Sequence, residues 1–151
     1  MNKYFFLGSL MVFIYGCSGA SADKEKQDKI DSAKTAYDAI KGVGKFTHVD
    51  LGPALNHALA DGGKSIYSLK CSGCHKLTGE KLVGPGWKGV TERRHPEWIM
   101  NFVTNTEEML NKDTSAQAML EICMVKMPNQ NLTDEDARKM LEFMRQNDGV
   151  K

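Results

Sequence analysis

Beyond residue 50, apolar residues recur at helical spacing in four separate stretches. The first runs from Pro53 to Lys70, and Asp61–Gly63 is expected to break it into two helices. Proline suits the first turn of a helix, so Pro96 favours the start of a second stretch, and Asp113 or Thr114 could start a third. This part of the chain is therefore predicted to be nearly all helical.

The fourth stretch carries a signal for the start of a helix. Thr133 and Asp136 are spaced as in a capping box, with Asp in place of the usual Glu. The residues that follow form an apolar stripe, which consists of Ala137, Met140, Leu141 and Met144. About a hundred residues without an internal repeat suit one small domain. We therefore predict a single all-α domain.

The first residues have the features of an export signal. The apolar run Tyr4–Tyr15 follows a positive charge and is far shorter than the roughly 20 residues that span a bilayer. Ile14–Cys17 resembles a bacterial lipobox, in which the signal is cut just before a cysteine that becomes lipidated. We predict a lipoprotein-type signal peptide over residues 1–16 and lipidation of Cys17. An ordinary secretory signal, cut at small residues nearby, is the alternative, and in both cases the mature chain is exported.

The exported chain divides into three predicted parts. Residues 17–44 are small and charged with few large apolar side chains, so we expect a tether. Within this tether, a surface helix around Lys24–Lys41 remains an open alternative. Residues 45–58 are predicted to be an extension that packs on the domain, and residues 59–151 are predicted to form the domain itself. A tether behind a lipid anchor would hold the domain at a bacterial membrane, on its periplasmic side.

The charge balance excludes one class of partner. The sequence has 20 Lys plus Arg and 19 Asp plus Glu, and loss of Lys3 with the signal leaves 19 of each. Proteins that bind nucleic acid carry an excess of basic residues, and this chain has no such excess. We therefore expect no nucleic-acid partner.

Cys71–His75 has the spacing C-x-x-C-H, which is the attachment site of a c-type haem. The thiols of Cys71 and Cys74 can add to the haem vinyl groups, and His75 can then bind the iron. A zinc site would need a second Cys or His pair, and the other histidines do not supply one. A thioredoxin-like pair would lie beside a βαβ pattern, whereas the neighbouring sequence is helical. We predict one covalent haem c.

From about Leu59 to its C-terminus, the chain resembles the class I monohaem cytochromes c. This family has an N-terminal helix, the C-x-x-C-H segment, a Gly-Pro loop, middle helices, a Met loop and a C-terminal helix, and matching motifs occur here in that order. The resemblance implies an all-α class I cytochrome c fold of about four to five helices around one haem. It also implies that Gly63 and Tyr67 of the first helix meet Phe143 of the last, and that the Pro85 carbonyl fixes His75.

The second axial ligand is expected to be Met127. It precedes Pro128 in a polar loop before the last helix, where the resembling family places its ligand. Met124 and Met119 are its rivals, in that order. Three histidines could each supply a different distal ligand, although each is expected at the surface: His48, His57 and His95.

Three further side chains could bind the haem propionates. Trp87 could donate its indole N–H, and Arg93 or Arg94 could form an ion pair with a carboxylate, although packing and solvation explain these residues equally well. Cys123 is left without a role and is expected to be a small buried apolar residue.

With both axial positions filled, the predicted function is outer-sphere electron transfer, and the protein would be a monomeric carrier rather than an enzyme. Arg93–Ile99 and Met127–Leu132 also look like small lipid-anchored cytochromes encoded beside nitrous oxide reductase. This suggests a respiratory donor and acceptor, with that reductase or a terminal oxidase receiving the electrons. A haem enzyme or gas sensor with a displaceable ligand, and a fixed electron-entry subunit of a larger complex, are the alternatives.

Overall fold

The computed structural model describes residues 38–151, which form six α-helices and no β-strand. The helices are α1 (His57–Ile66), α2 (Val90–Arg93), α3 (Pro96–Thr104), α4 (Thr106–Lys112), α5 (Thr114–Cys123) and α6 (Asp134–Asn147). A π-helical turn, Tyr67–Cys71, continues α1 directly into the C-x-x-C-H segment. The predicted all-α class is confirmed. The predicted signal peptide, Cys17 and residues 17–37 of the predicted tether lie outside the described residues.

The centre of the fold is the contact between α1 and α6. Gly63 of α1 lies against α6 so closely that a Cβ there would come within 2.7 Å of the Lys139 carbonyl carbon and of Phe143 Cβ. The Tyr67 and Phe143 rings lie 5.5 Å apart, as the resemblance implies. The side chains of α6 that are buried by this packing are mostly apolar, and they include Ala137, Met140, Leu141, Phe143 and Met144.

The first helix differs from its prediction. It begins at His57 rather than at Pro53, because the Asn56 side chain accepts the Leu59 N–H at 3.1 Å and caps the helix. Asp61–Gly63 does not break it. The missing side chain of a glycine, which disfavours an isolated helix, is what permits the close approach to α6, so tertiary packing outweighs local propensity here.

The other predicted helix starts are confirmed. Pro96 occupies the first turn of α3, and the Asp113 side chain accepts the Ala116 N–H at the start of α5. At the start of α6, Thr133 Oγ1 accepts the Asp136 N–H at 3.1 Å and the Asp136 carboxylate accepts the Thr133 N–H at 3.2 Å. Helices α2 and α4 were not predicted, because four and seven residues are too few to show a clear periodicity.

Residues 38–56 form neither a helix nor a strand and pack against α3 and α6; we call this segment the strap. Asn101 of α3 is buried, accepts the Phe46 N–H at 2.9 Å, and donates to two strap carbonyls at 3.0 Å. Glu97, also buried, accepts the Val49 N–H at 2.9 Å. Polar side chains of the core therefore satisfy main-chain N–H and C=O groups of the strap that would otherwise need a neighbouring strand.

Helix α6 holds the other end of the strap. Glu142 is fully buried between the guanidinium groups of Arg138 and Arg145, each at 2.9 Å. The same carboxylate accepts the Asn56 N–H at 3.3 Å, and Arg145 donates to the Gly52 carbonyl at 3.1 Å. Because each buried charge is paired and hydrogen-bonded, the cluster can lie inside the fold.

The packed part of the strap begins before residue 45, where the predicted extension starts. The Val43 N–H points to Met109 Sδ at 2.9 Å, and Gly42 lies against Met109 and Trp98 in a left-handed conformation with φ of 75°. Among residues 38–151, no helix combines the length and the apolar composition needed to cross a lipid bilayer.

Gly63→Ala is expected to lower the free energy of unfolding by about 1–3 kcal/mol, because the new methyl group would overlap main-chain atoms of α6. Gly62→Ala is the matched control, since a Cβ there would meet only the flexible Lys139 side chain, from 3.0 Å. Its stability should stay the same or rise by up to about 1 kcal/mol. Denaturant unfolding followed by circular dichroism measures both values, and equal losses would contradict the proposed close approach.

Candidate functional site

The π-helical turn sets the position of the C-x-x-C-H segment. The Ser72 N–H donates to the Tyr67 carbonyl, five residues earlier, at 2.9 Å. A tight turn follows, because the N–H groups of Cys74 and His75 both donate to the Cys71 carbonyl, at 3.0 and 2.9 Å. The Tyr67 hydroxyl donates to the His75 carbonyl at 2.7 Å. These bonds hold the two predicted thioether cysteines and the predicted axial histidine in one rigid turn.

The His75 ring is fixed from one side. Its Nδ1 lies 2.9 Å from the Pro85 carbonyl oxygen, the arrangement that the resemblance implies. A carbonyl only accepts, so Nδ1 carries the proton and Nε2 keeps a free lone pair. Burial lowers the pKa of His75, although the Pro85 carbonyl opposes this shift, and the lowered pKa favours the neutral form that binds metals. A Cβ at Gly84 would overlap the imidazole, so the loop lies directly against the ring.

Two adjoining apolar cavities lie beside His75, and we call them together the crevice. Five residues from separate parts of the chain line both cavities, namely His75, Pro85, Phe102, Met119 and Met127. The first cavity extends along Cys74 and Val83, and the second extends along Trp87 and Trp98. The structure therefore brings the predicted proximal histidine and the predicted axial methionine to the same crevice.

The three candidate methionines are not equivalent in the structure. Met127 and Met119 both line the crevice. Met124 follows the end of α5 in a left-handed conformation, is 84% exposed and lines neither cavity. The ranking of Met124 as the nearest rival is therefore wrong, because the turn that ends α5 directs it to the solvent. Met119 is the remaining alternative to Met127 as the second axial ligand, because it also lines the crevice.

The other three histidines lie away from the crevice. His48 is exposed and pairs with Asp50 at 2.8 Å, His57 is an exposed residue at the start of α1, and His95 is an exposed residue before α3. None of them lines either cavity. A distal histidine ligand therefore finds no support in the described part of the chain.

The remaining cysteines and the zinc alternative can also be placed. Cys123 is only partly buried and lines the crevice, so its expected burial in the core is wrong. Within residues 38–151, no three His, Cys, Asp or Glu side chains converge as a metal site would require.

Burial raises the pKa of the Cys71 thiol to about 11. Since the thiolate is the nucleophile, burial makes the Cys71 thiol less reactive in the folded turn.

Aromatic and cationic side chains meet at the second cavity. Trp87 is buried with its ring 5.5 Å from that of His75, and the Arg94 guanidinium lies 4.5 Å over the Trp98 ring. Arg93 lines the same cavity and donates to the Lys88 and Gly86 carbonyls. The predicted propionate contacts of Trp87, Arg93 and Arg94 stay predictions.

The sequence did not indicate that Trp98 lines this cavity, because its helical spacing is that of a core residue. Its indole N–H is buried and finds no acceptor among the described residues. A buried unpaired donor of this kind costs about 1–3 kcal/mol.

The crevice suits a haem in its chemistry as well as in its shape. It has apolar walls, the Cys74 thiol of the C-x-x-C-H segment, an imidazole with a free Nε2, and thioether sulfurs. Imidazole and thioether are the two ligands that bind iron in His/Met cytochromes. Cationic side chains at the second cavity, Arg93 and Arg94, fit a group that carries carboxylates.

Sequence comparison places this chain among proteins that have the same type of site. The sequence model of the cytochrome c family, described as "Cytochrome c", matches residues 60–148. A cytochrome c-553-like protein of Synechocystis sp. is 27% identical over 90 residues, which cover 55% of this chain and 86% of that protein.

Solved structures are similar as well. A cytochrome c from Rhodothermus marinus superposes with a TM-score of 0.67 at 32% identity, covering 70% of this chain and 90% of that one. An engineered form of that protein, bound to a carbene intermediate, superposes with a TM-score of 0.64 at 31% identity over the same shares.

Gly84→Ala is expected to displace the His75 ring, because its Cβ would lie within 2.9 Å of both imidazole nitrogens. The free energy of unfolding of the holoprotein should fall by about 1–3 kcal/mol. Gly73→Ala, in the turn itself, is the control, since a Cβ there meets no atom within 4 Å. It should change stability by less than about 0.5 kcal/mol. Thermal unfolding followed in the haem absorption band separates the two variants, and an unperturbed Gly84→Ala protein would refute the contact.

Proposed function

Because this chain belongs to the cytochrome c family and carries covalently bound haem c, we propose that it is a one-electron carrier with His75 and Met127 as axial ligands. The observation that carries the proposal is that His75 and Met127, 52 positions apart in the sequence, line the same apolar crevice. The described histidines outside the crevice do not compete for the second position.

The residues on the proximal side have defined tasks. Cys71 and Cys74 would hold the haem through thioether bonds, and the Pro85 carbonyl holds the His75 ring at Nδ1, which leaves Nε2 free to bind iron. The Tyr67 hydroxyl fixes the main chain of His75. Together they keep the first axial ligand in one position, so that a change in charge at the site moves few atoms.

The distal residues set the chemistry of the second position. When bound, haem c supplies a one-electron ferric/ferrous couple, and a thioether ligand favours its reduced form and raises its potential. Phe102, Leu110 and Leu120 line the crevice around Met127 and exclude water from it. With both positions filled by protein, no site is open for a substrate.

Electrons would enter and leave near Cys74. This residue is exposed and lines the crevice, whereas Cys71 is buried, so one edge of the site lies at the molecular surface. Contact at this edge would be brief and small in area, as is typical of redox encounters.

The location and the partners are part of the proposal. The lipobox-like Ile14–Cys17 and the short apolar run before it support export, lipidation of Cys17 and a position on the periplasmic side of a bacterial membrane. Respiratory proteins, including nitrous oxide reductase or a terminal oxidase as acceptor, are the partners that the sequence resemblance suggests.

A catalytic role is the second candidate. The observation that favours it is the engineered Rhodothermus marinus protein that is bound to a carbene intermediate. A role of this kind in the present chain would require the second axial ligand to be absent or easily displaced.

Met127→Ala is expected to abolish the weak near-infrared band that arises from thioether-to-ferric charge transfer, and to lower the reduction potential. Met119→Ala, which removes the other thioether of the crevice, and Met124→Ala, at the surface, should keep the band. Absorption spectra of the oxidised holoproteins give the result. Loss of the band in Met119→Ala alone would reassign the ligand, and a wild-type protein without the band would overturn the His/Met assignment.

A further inference from the structure

The segment that carries Met127 has few bonds of its own. Helix α5 ends at Cys123, and the Met124 N–H closes it by donating to the Leu120 carbonyl at 2.8 Å. Within the described part of the chain, residues 125–132 take part in no main-chain to main-chain hydrogen bond. The side-chain hydrogen bonds inside this stretch join residues only two positions apart, and the one ion pair that reaches another helix, from Lys126 to Glu107 of α4, is long at 3.9 Å. A position for Met127 must therefore come from other contacts.

Two lysines supply bonds on either side of Met127, one to the last turn of α5 and one to the segment itself. Lys81 Nζ donates to the Ile122 carbonyl at 2.9 Å, and Lys70 Nζ donates to the Gln130 carbonyl at 2.9 Å. Both lysines belong to the proximal side, since Lys70 lies in the π-helical turn before Cys71 and Lys81 lies in the loop before Pro85. The bonds thus run from the side of His75 to the side of Met127.

We propose that Lys70 and Lys81 are positioning residues that hold the Met127 segment closed over the crevice by two hydrogen bonds. This inference rests on the proposed role of Met127 as an axial ligand. The two acceptors bracket Met127, with Ile122 five residues before it and Gln130 three residues after it. Loss of the Lys70 bond would free the segment itself, and loss of the Lys81 bond would loosen the last turn of α5, from which the segment leaves.

The effect follows from a two-state equilibrium. Exchange of the thioether for another ligand requires the segment to leave the crevice, so bonds present only in the closed state reduce the open population. Each bond has an ammonium donor and a neutral carbonyl acceptor, and a single bond of this kind shifts such an equilibrium by about two- to tenfold. Lys70 and Lys81 act on opposite sides of Met127, so their effects should roughly multiply.

The test uses Lys70→Gln, Lys81→Gln and the double variant of the holoprotein. Imidazole is titrated into the oxidised protein, and displacement of the thioether is followed by loss of the near-infrared band. We expect imidazole to bind about two- to tenfold more tightly to each single variant, and about four- to a hundredfold more tightly to the double variant. Lys70→Arg and Lys81→Arg keep a cationic donor and should restore an affinity near that of the wild type.

Lys76→Gln is the matched control. It removes a lysine next to the same crevice, but Lys76 pairs with Glu80 at 2.8 Å and stays on the proximal side. Its imidazole affinity should change by less than about twofold.

Equal changes in Lys76→Gln and the test variants would show an effect of charge alone. A lowered unfolding temperature with unchanged imidazole affinity would show a merely structural role. Both results overturn the inference while leaving Met127 as the ligand, whereas a wild-type protein without the band overturns the ligand assignment and the inference with it.

Discussion

The contact between α1 and α6 at Gly63 is the constraint on which the rest of the site depends. Only a residue without a side chain allows α1 to lie directly on the main chain of α6. The π-helical turn and Cys71–His75 follow from the end of α1 without a loop, so the angle at which α1 meets α6 fixes the direction of the proximal ligand. The tilted contact between the Tyr67 and Phe143 rings, and the bond from the Tyr67 hydroxyl to the His75 carbonyl, extend this packing to the site.

The two sides of the crevice are held by different kinds of interaction. The proximal side combines main-chain bonds in a tight turn with the bond from His75 to Pro85, and it is rigid. The distal side depends on apolar packing and on side-chain bonds to a segment with no main-chain bonds of its own. This asymmetry would concentrate ligand exchange at Met127, the proposed second axial ligand.

Much of the site could be predicted from the sequence, because its signals are local. The C-x-x-C-H motif, the capping box at Thr133 and the proline that begins α3 each depend on a few neighbouring residues. The remaining features depend on contacts between distant residues. Nothing in the sequence near Asp61–Gly63 shows that α6 will approach α1 too closely for a side chain there. The sequence likewise gives no signal that the buried carboxylate of Glu142 holds the strap. The exposure of Met124 follows from a left-handed turn that its neighbours do not indicate.

The central claim is that the protein itself fills both axial positions, and binding of carbon monoxide to the reduced holoprotein tests it most directly. Carbon monoxide needs a free or easily vacated position on ferrous iron. If His75 and Met127 hold both positions, the absorption spectrum of the reduced protein should be unchanged after exposure to the gas at neutral pH. A rapid shift of the haem bands in the wild-type protein would contradict the account and indicate ligand sensing or catalysis.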